Sequence, residues 1–397
     1  MTADVSVTAG RASADRAVCV TGMAWTTALG NELGEVWQKL LSGCSGIREL
    51  PADAASTIGR AAGLGGGDFE GGELAAPPAR RQVALAATTA GAALRDAGCE
   101  PVGIDLFVLG SSLGPHLDDA ADTSPNDLTV LVGKELGLGQ SPVSLSTACS
   151  SGADAILVAA ALIRGGVVDR CLCGGIDLLS AAKQLGHSTL GTASPTTIRP
   201  FDTRRDGMML GEGAGFLVLE ARSAARDRGA RVWGEVRGWG SSNDASGLTA
   251  PDTSGAGAVR AVRRAFAKAG VRAEDIAVIN AHGTATKVND DTEATCFAEL
   301  FGGTGAEPVV FATKPAFGHT LGATGAIEAI ALLLSLHHGV APPLPQCEEI
   351  MPGFPLPLPT EGALPLTGAT GFSLTLGFGG FNTCLVLERG THEGRAT

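Results

Sequence analysis

Two long apolar segments that share one local pattern constrain the fold of this chain more than any other feature. One runs from Gly152 to Gly165 and the other from Gly325 to Gly339; each is rich in alanine, follows a glycine-containing turn and ends at a glycine. A helix that is apolar on all sides belongs inside a large core. The repeat therefore predicts two βα halves of related topology, and we place the join near Leu248–Asp252, where small polar residues cluster.

The composition of the 397 residues agrees with an extensive core. Hydrophobic residues make up 44% of the chain and aromatic residues only 4%, so this core consists mainly of Ala, Val, Leu and Ile around 57 glycines. The length fits one large unit or two intimately packed halves. No uninterrupted apolar stretch approaches membrane-spanning length, and the first 16 residues are polar, unlike a signal peptide.

Charge and cysteine content indicate the compartment and the kind of partner. The net charge of −12 argues against nucleic acid as a general partner. The nine cysteines are odd in number and lack Cys-x-x-Cys spacing, which indicates reduced thiols in a cytoplasmic protein and gives no metal-binding pattern. An acidic protein partner would need a local basic patch. Arg80–Arg81 and Arg260–Lys268 are candidates, although a solvated helix face is the commoner interpretation of either.

Cys149 lies where a short strand-like run starting at Val143 breaks and the first apolar helix begins. The first turn of that helix directs unpaired N–H groups and the positive end of the dipole at the thiol. This should lower the pKa of Cys149 and favour the thiolate that a nucleophile requires. The alternative is a small buried cysteine, which is the commoner fate of any single cysteine.

Two histidines supply partners for such a nucleophile. His282 follows the apolar run Ile276–Ile279, and His319 follows the run Val309–Thr313. Each lies in a turn rich in Gly or Thr after a strand-like segment, and α/β sheets collect catalytic groups at the carboxyl ends of their strands. One such histidine alone would more often be a loop residue. Two of them in the same chain as Cys149 predict a catalytic site.

With these motifs in order, the chain resembles a β-ketoacyl-acyl-carrier-protein synthase, an elongating condensing enzyme of the thiolase-fold family. The resemblance runs from about Arg16 to Glu388, and several ordered motifs together make it specific. The family patterns T-A-C-S-S-G, H-G-T-x-T with a following acid, and K-x-x-x-G-H match Thr147–Gly152, His282–Thr286 with Asp290, and Lys314–His319. Further matches are Arg199–Asp202, Arg205–Gly207, Gly211–Gly215 and the opening Val20–Met23 with Leu29–Gly30.

The resemblance implies an α/β thiolase-like fold with two related βα halves packed as a five-layered αβαβα structure. We assign residues 16–250 to the half that carries the nucleophile and residues 251–390 to the half that carries the two histidines. Residues 1–15 and 391–397 are expected to be a flexible N-terminus and a tail. The family also implies a homodimer.

The resemblance further implies a role for each site residue. Cys149 would take an acyl group from an acyl-carrier-protein thioester, in an oxyanion hole made by the backbone N–H groups of Cys149 and Phe378. His282 and His319 would donate from Nε2 to a malonyl-type thioester as carbon dioxide leaves. No metal or organic cofactor is expected, because phosphopantetheine arrives on the carrier protein. Positions implied to hold the histidines are Lys314 and Glu293, and positions implied to bind the pantetheine amides are Thr284 and Thr286.

The segment Ser373–Asn382 departs from the family pattern S-N-S-F-G-F-G-G-T-N. Phe378, at the family's gating position, and its flanking glycines are kept. Leu374, Leu376 and Phe381 replace Asn, Phe and Thr, which would change the hydrogen bonding near the nucleophile and narrow the site at Phe381. The change favours polyketide or other specialised biosynthesis over a housekeeping role in fatty acid synthesis. It also leaves open a reaction in which the Cys-bound acyl group cyclises or is transferred without decarboxylation.

Two other functions compete with a condensing enzyme. An inactive partner subunit fits poorly, because such subunits usually lack the nucleophilic cysteine. A serine hydrolase is indicated by Gly110–Gly114, which matches G-x-S-x-G after a strand and places Ser112 at the nucleophile position. A nucleophile elbow must run straight into a helix, whereas Pro115 and a polar run to Asn126 follow here. We expect a glycine-rich loop beside the substrate channel instead.

Overall fold

The computed structural model describes residues 15–49, 60–61, 78–112 and 124–390. Three predictions fall wholly or partly outside these ranges: the flexible N-terminus at residues 1–15, the end of the Gly110–Gly114 motif, and the tail at residues 391–397.

The described strands and helices alternate along most of the chain. The strands are β1 Val18–Thr26, β2 Arg48–Glu49, β3 Arg60–Ala61, β4 Leu106–Gly110, β5 Val143–Leu145, β6 Arg170–Asp177, β7 Gly213–Ala221, β8 Gly234–Asn243, β9 Val278–Asn280, β10 Val309–Phe311, β11 Val340–Ala341, β12 Leu364–Pro365, β13 Thr370–Gly377 and β14 Phe381–Arg389. The helices are α1 Leu33–Leu41, α2 Pro78–Ala97, α3 Pro125–Glu135, α4 Ser151–Arg164, α5 Ala181–Thr189, α6 Arg222–Asp227, α7 Ala256–Ala269, α8 Lys287–Phe301, α9 Lys314–Phe317 and α10 Thr324–His338.

Ten strands form one sheet in the order β10-β9-β13-β14-β8-β1-β7-β6-β4-β5. The pattern of strand pairing at one end of the sheet is repeated at the other end. In one half β4 pairs in parallel with β5 and β6, and β6 and β7 continue antiparallel. In the other half β9 pairs in parallel with β10 and β13, and β13 and β14 continue antiparallel. The predicted pair of related βα halves is therefore present in the sheet.

The helices place the halves in five layers. Helices α4 and α10, the two apolar segments of the repeat, contact each other, and α10 also contacts strands of both half-sheets. Helix α2 covers the outer side of β1, β6 and β7, and α7 covers the outer side of β8 and β14. This arrangement confirms the predicted αβαβα architecture. Along the chain the sheet passes from one half to the other between β7 and β8, and the domain limits at 250 and 251 stay a prediction.

The innermost helix is long and apolar enough to cross a membrane by length and composition alone. Among the described residues one stretch meets that test, Leu321–His338, with a mean hydropathy of 1.3 over 18 residues. Thr324, Glu328 and Ser335 interrupt its apolar sequence, so the expectation concerned uninterrupted stretches and is not contradicted by it. Moreover, 89% of the stretch is buried inside the protein, because the helix packs between the two half-sheets. It is a core helix.

Candidate active site

The predicted nucleophile lies in a single tight turn just before α4. Residues Ala148–Ser150 form a 3₁₀ turn, and Ala148 has a φ of 52°, a left-handed conformation that costs energy in a non-glycine residue. Asp154 in the first turn of α4 holds this loop, because its carboxylate accepts hydrogen bonds from Thr147 Oγ1 at 2.6 Å and Ser150 Oγ at 3.0 Å. Its other oxygen accepts from Thr383 Oγ1 at 2.7 Å.

The pKa of Cys149 runs opposite to the prediction. Only 4% of the residue is exposed, and burial raises the pKa of the thiol to about 11. The backbone N–H of Phe378 and the Lys314 ammonium lower it, but they do not offset the loss of water around the thiolate. The prediction of a lowered pKa was wrong, because it considered the helix dipole and left out the desolvation of the buried thiol.

His282 is held through its backbone by a buried carboxylate. Glu293 in α8 accepts the N–H groups of His282 and Gly283 at 2.7 Å each, and the side chain of Asn289 at 2.8 Å. Burial and the neighbouring Asp290 raise the pKa of Glu293 to about 8, although the hydrogen bonds from the His282 and Gly283 backbone act to lower it. Glu293 thus fixes the turn that carries the histidine through two backbone N–H groups, whereas Lys314 contacts the His282 ring and carbonyl oxygen.

Lys314 selects the tautomer of His282. Its Nζ lies 3.2 Å from His282 Nδ1 and also donates to the His282 carbonyl oxygen. An ammonium group has only donors, so Nδ1 must be the acceptor and the ring proton must lie on Nε2. Burial and Lys314 lower the pKa of His282 well below its usual value, which keeps the ring neutral.

Lys314 is itself paired with a residue that the sequence analysis did not assign to the site. Glu328 in α10 accepts from Lys314 Nζ at 2.6 Å, and each side chain is only 1% exposed. Burial raises the pKa of Glu328 to about 7, although the ammonium group of Lys314 acts to lower it. The available signal was a lone acid in an otherwise apolar helix, because a charge in such a place needs a partner.

His319 has the same tautomer by a different route. Its Nδ1 accepts the backbone N–H of Leu321 at 3.2 Å and lies 3.0 Å from Thr324 Oγ1, so its proton also lies on Nε2. The His282 and His319 rings meet edge to face, with centroids 5.3 Å apart and an interplanar angle of 86°. Burial and Lys314 lower the pKa of His319 well below its usual value.

One cavity of about 410 Å³ brings the predicted residues together. Its lining includes Cys149, His282, His319, Thr284, Thr286, Leu376 and Phe378. The two threonine hydroxyls lie 2.9 Å apart, which places them as a pair on the wall. Phe381 is not part of this lining. It is half-buried and pairs with Gly377 in the sheet.

A second altered position of the segment Ser373–Asn382 belongs to the core. Leu374 is fully buried in a cluster with Phe372 and Val386, and its side chain replaces a polar group away from the cavity. Leu376 points to the same side of β13 and is both part of this cluster and part of the cavity wall. Of the three altered positions, Leu376 therefore has direct access to a bound substrate.

Ser112 does not have the surroundings of a nucleophile in the described part of the chain. Its N–H donates to Asp177 Oδ2 at 2.8 Å, and its carbonyl oxygen accepts from Ser146 Oγ. Both contacts fix its backbone, and Ser112 is not part of the cavity lining. Residues 113–123, where the elbow would continue, lie outside the described residues.

The two predicted basic patches are partly neutralised. Arg81 pairs with Glu212 at 2.5 Å, and its side chain is only 13% exposed. On α7, Arg263 pairs with Glu299 at 3.0 Å, and Lys268 lies over the Trp239 ring at 4.6 Å. Neither patch lies in the cavity lining, and a carrier-protein surface remains a prediction for both.

Comparison with known protein families divides the chain between β7 and β8, where the sheet also passes from one half to the other. Residues 15–225 match the beta-ketoacyl synthase N-terminal domain, and residues 233–348 match the beta-ketoacyl synthase C-terminal domain. A 3-oxoacyl-[acyl-carrier-protein] synthase 2 of Rhizobium meliloti is 34% identical over 95% of this chain and 99% of its own length. The tetracenomycin polyketide synthase ketoacyl synthase alpha subunit of Streptomyces glaucescens is 31% identical over 95% of this chain and 98% of its own. The crystal structure of a beta-ketoacyl synthase from Burkholderia phymatum superposes with a TM-score of 0.84 at 31% identity, over 94% of this chain and all of that one.

Proposed function

The chain belongs to the β-ketoacyl synthase family, and we propose that it is a decarboxylative condensing enzyme that uses Cys149, His282 and His319. One observation carries the proposal: a single cavity holds the thiol and two neutral imidazoles, and both imidazoles are fixed as Nε2–H donors. Two such donors beside a nucleophile suit a reaction in which negative charge develops on a thioester oxygen.

The first step transfers the acyl group to the enzyme. Cys149 Sγ attacks the carbonyl carbon of an acyl-carrier-protein thioester, and the bond from that carbon to the pantetheine sulfur breaks. The thiol proton ends on the released pantetheine thiol. Because burial holds the pKa of Cys149 at about 11, proton loss and attack proceed together when the substrate arrives. The N–H groups of Cys149 and Phe378 stabilise the oxyanion.

The second step forms the carbon–carbon bond. A malonyl-type thioester enters with its carbonyl oxygen between the two Nε2–H groups, and loss of carbon dioxide leaves an enolate stabilised by them. The enolate carbon attacks the acyl carbonyl, the bond to Cys149 Sγ breaks, and the thiolate takes up a proton. The product is a β-ketoacyl thioester. Thr284 and Thr286, on the cavity wall, would receive the pantetheine amides.

The reaction so written needs no metal or organic cofactor, which stays a prediction. Among the described residues no group of three or more His, Cys, Asp or Glu side chains is arranged to hold a metal ion. We also propose a soluble cytoplasmic protein, as its free cysteines and buried apolar helix favour.

We further propose a homodimer with carrier protein as the transient partner. The likeness to a 3-oxoacyl-[acyl-carrier-protein] synthase supports the carrier protein as partner, and the family resemblance supports the homodimer. Light scattering on the purified protein gives its mass in solution, and a monomer at working concentration would contradict the dimer.

The proposal is tested with acyl-carrier-protein thioesters followed by intact mass, and with malonyl-carrier protein while carbon dioxide is measured. We expect an acyl adduct on the wild type and none on Cys149→Ala, then carbon dioxide and a β-keto product. Loss of the adduct without carbon dioxide would show cyclisation or transfer instead. Absence of an adduct from every donor would overturn the proposal.

A further inference from the structure

Asp177 is a buried carboxylate that the reaction steps above do not use. It is the last residue of β6 and is fully buried. Its Oδ2 accepts the backbone N–H groups of Gly322 at 2.7 Å and of Ser112 at 2.8 Å. Its Oδ1 accepts from Lys183 Nζ at 2.8 Å and from Ser111 Oγ at 3.3 Å. A charge is costly to bury unless it is paired and hydrogen-bonded, and these four donors meet that requirement.

The contact with Gly322 crosses from one half of the fold to the other. Asp177 belongs to the half that carries Cys149, whereas Gly322 is the middle residue of the 3₁₀ turn Leu321–Ala323 that follows His319. The two groups are so close that a Cβ added at position 322 would lie 2.6 Å from Asp177 Oδ2. A carboxylate of the first half therefore holds the backbone of a turn in the second half.

This turn has a backbone conformation that needs support. Leu321 has a φ of 51°, a left-handed conformation that costs energy in a non-glycine residue. Its N–H donates to His319 Nδ1 at 3.2 Å, and the next N–H, that of Gly322, donates to Asp177. Because peptide units are planar, the dihedral angles of Leu321 relate the directions of these two N–H groups. An acceptor that holds the Gly322 N–H therefore also restrains the Leu321 N–H.

The Leu321 N–H is the contact that selects the tautomer of His319. Thr324 Oγ1 also lies 3.0 Å from His319 Nδ1, but a hydroxyl both donates and accepts, so it is compatible with either tautomer. A backbone N–H only donates, so it requires Nδ1 to be the acceptor and places the ring proton on Nε2. With this N–H displaced, the ring can donate from Nδ1 to Thr324, and Nε2 then has no proton for a thioester oxygen.

We propose that Asp177 is a positioning residue for the malonyl step: it accepts the Gly322 N–H, holds the Leu321 turn in place and so keeps the proton of His319 on Nε2. The inference rests on the proposed function, since this Nε2–H group acts there on the malonyl thioester. Lys183 supplies the counter-charge, and its described hydrogen bonds go to Asp177 and to the Leu178 carbonyl oxygen rather than to the turn. Loss of the acceptor and loss of the counter-charge should therefore have different effects.

The first test observes the tautomer directly. In protein labelled with ¹⁵N-histidine, the NMR signals of the two ring nitrogens differ between tautomers, and loss of signals in His319→Gln assigns them. We expect the Nε2–H form in the wild type and a mixture of forms in Asp177→Leu, which is of similar size and has no acceptor. Lys183→Met is the matched control. It breaks the same ion pair but keeps the acceptor, so it should keep the wild-type tautomer.

The second test compares two rates in each folded variant, acylation of Cys149 by octanoyl-carrier protein and release of carbon dioxide from malonyl-carrier protein. In the proposed mechanism only the second rate requires the His319 donor. In Asp177→Leu the ratio of decarboxylation to acylation should fall by about 10- to 100-fold, less than for complete loss of a donor, because some rings keep the Nε2 proton. Lys183→Met should leave the ratio unchanged.

A conservative double variant provides the rescue. Asp177→Asn combined with Lys183→Gln keeps an oxygen that can accept the Gly322 N–H and replaces the ion pair by two neutral amides that can pair with each other. It should regain most of the ratio that Asp177→Leu loses. A variant that merely restored stability, without an acceptor for the turn, would not do so.

The outcomes separate this inference from the function on which it rests. A wild-type tautomer in Asp177→Leu, or an equal loss of the ratio in Lys183→Met, would overturn the positioning role alone. Should Asp177→Leu fail to fold, as judged by circular dichroism, its combination with Lys183→Met, which buries no unpaired charge, decides. Absence of carbon dioxide from the wild type overturns the proposed function and the role in the malonyl step with it.

Discussion

Replacing Lys314 by methionine tests whether the buried ion pair prepares His282 for catalysis. Lys314 Nζ contacts Glu328 Oε1 at 2.6 Å, His282 Nδ1 at 3.2 Å and the His282 carbonyl oxygen. Methionine is of similar length and has none of the donors. The ring of His282 can then place its proton on either nitrogen, and the cavity loses a positive charge close to the developing enolate.

Two magnitudes follow from this geometry. Removing one partner of a buried pair leaves the other uncompensated, so Lys314→Met should cost about 3–5 kcal/mol of unfolding free energy. Weakening one oxyanion donor typically slows a reaction by about 10²–10³-fold, and we expect decarboxylation to slow by about 100-fold. The matched control is Lys314→Met combined with Glu328→Gln. It removes both charges and should regain much of the stability, but none of the decarboxylation rate.

Urea unfolding followed by tryptophan fluorescence measures the first quantity, and carbon dioxide release from malonyl-carrier protein by folded enzyme measures the second. A single variant that decarboxylates close to the wild-type rate would refute the tautomer argument. A double variant that regains both stability and rate would show that Lys314 acts only on folding.

Three further predictions concern the nucleophile, the histidine turn and the repeat. With its pKa raised to about 11, Cys149 should be alkylated by iodoacetamide about tenfold faster for each pH unit from 7 to 9; mass spectrometry locates the label, and a rate that levels off near pH 7 would contradict the burial argument. Glu293→Ala leaves two buried N–H donors unpaired and should lose roughly 2–6 kcal/mol in urea unfolding, whereas an equal loss in Glu299→Ala, exposed on the same helix, would contradict that account. In Gly322→Ala the new Cβ would lie 2.4 Å from Ser112 N and 2.6 Å from Asp177 Oδ2, so thermal unfolding should show a loss of about 1–3 kcal/mol. Gly186→Ala, with open space around its Cβ, is the control, and equal effects of the two would refute the steric argument.

The sequence was sufficient for the architecture because the signal was redundant. The two apolar helices could be buried only between layers, and the strand-like runs before Cys149, His282 and His319 put these residues at strand ends. The sheet repeats itself as the helices do. The nucleophile and both histidines then met in one cavity.

The electrostatics of the site could not be read in the same way. The pKa of Cys149 depends on how much water the folded chain removes, and a helix start gives only one of the opposing contributions. The tautomers of His282 and His319 depend on contacts at Nδ1 from Lys314 and from the Leu321 backbone, which no local pattern reveals. Likewise, Leu374 looked like a change at the nucleophile and is part of the core.

The two related halves of the fold contribute different groups to the site. Both repeated helices carry one acid in their first half: Asp154 ties down the turn before α4, and Glu328 holds Lys314 against His282. Both are also preceded by a 3₁₀ turn whose first residue has a positive φ, Ala148 in one half and Leu321 in the other.

The equivalent of Cys149 in the second turn is Gly322, whose N–H donates to Asp177 at 2.7 Å. Any side chain there would collide with Ser112 and Asp177, so the second turn cannot carry a nucleophile of its own. It contributes instead the Leu321 N–H that fixes the tautomer of His319. The turn before α4 thus carries the nucleophilic thiol of Cys149. The turn before α10 has glycine at that position, and its Leu321 N–H keeps the proton of His319 on Nε2, the donor to the second substrate.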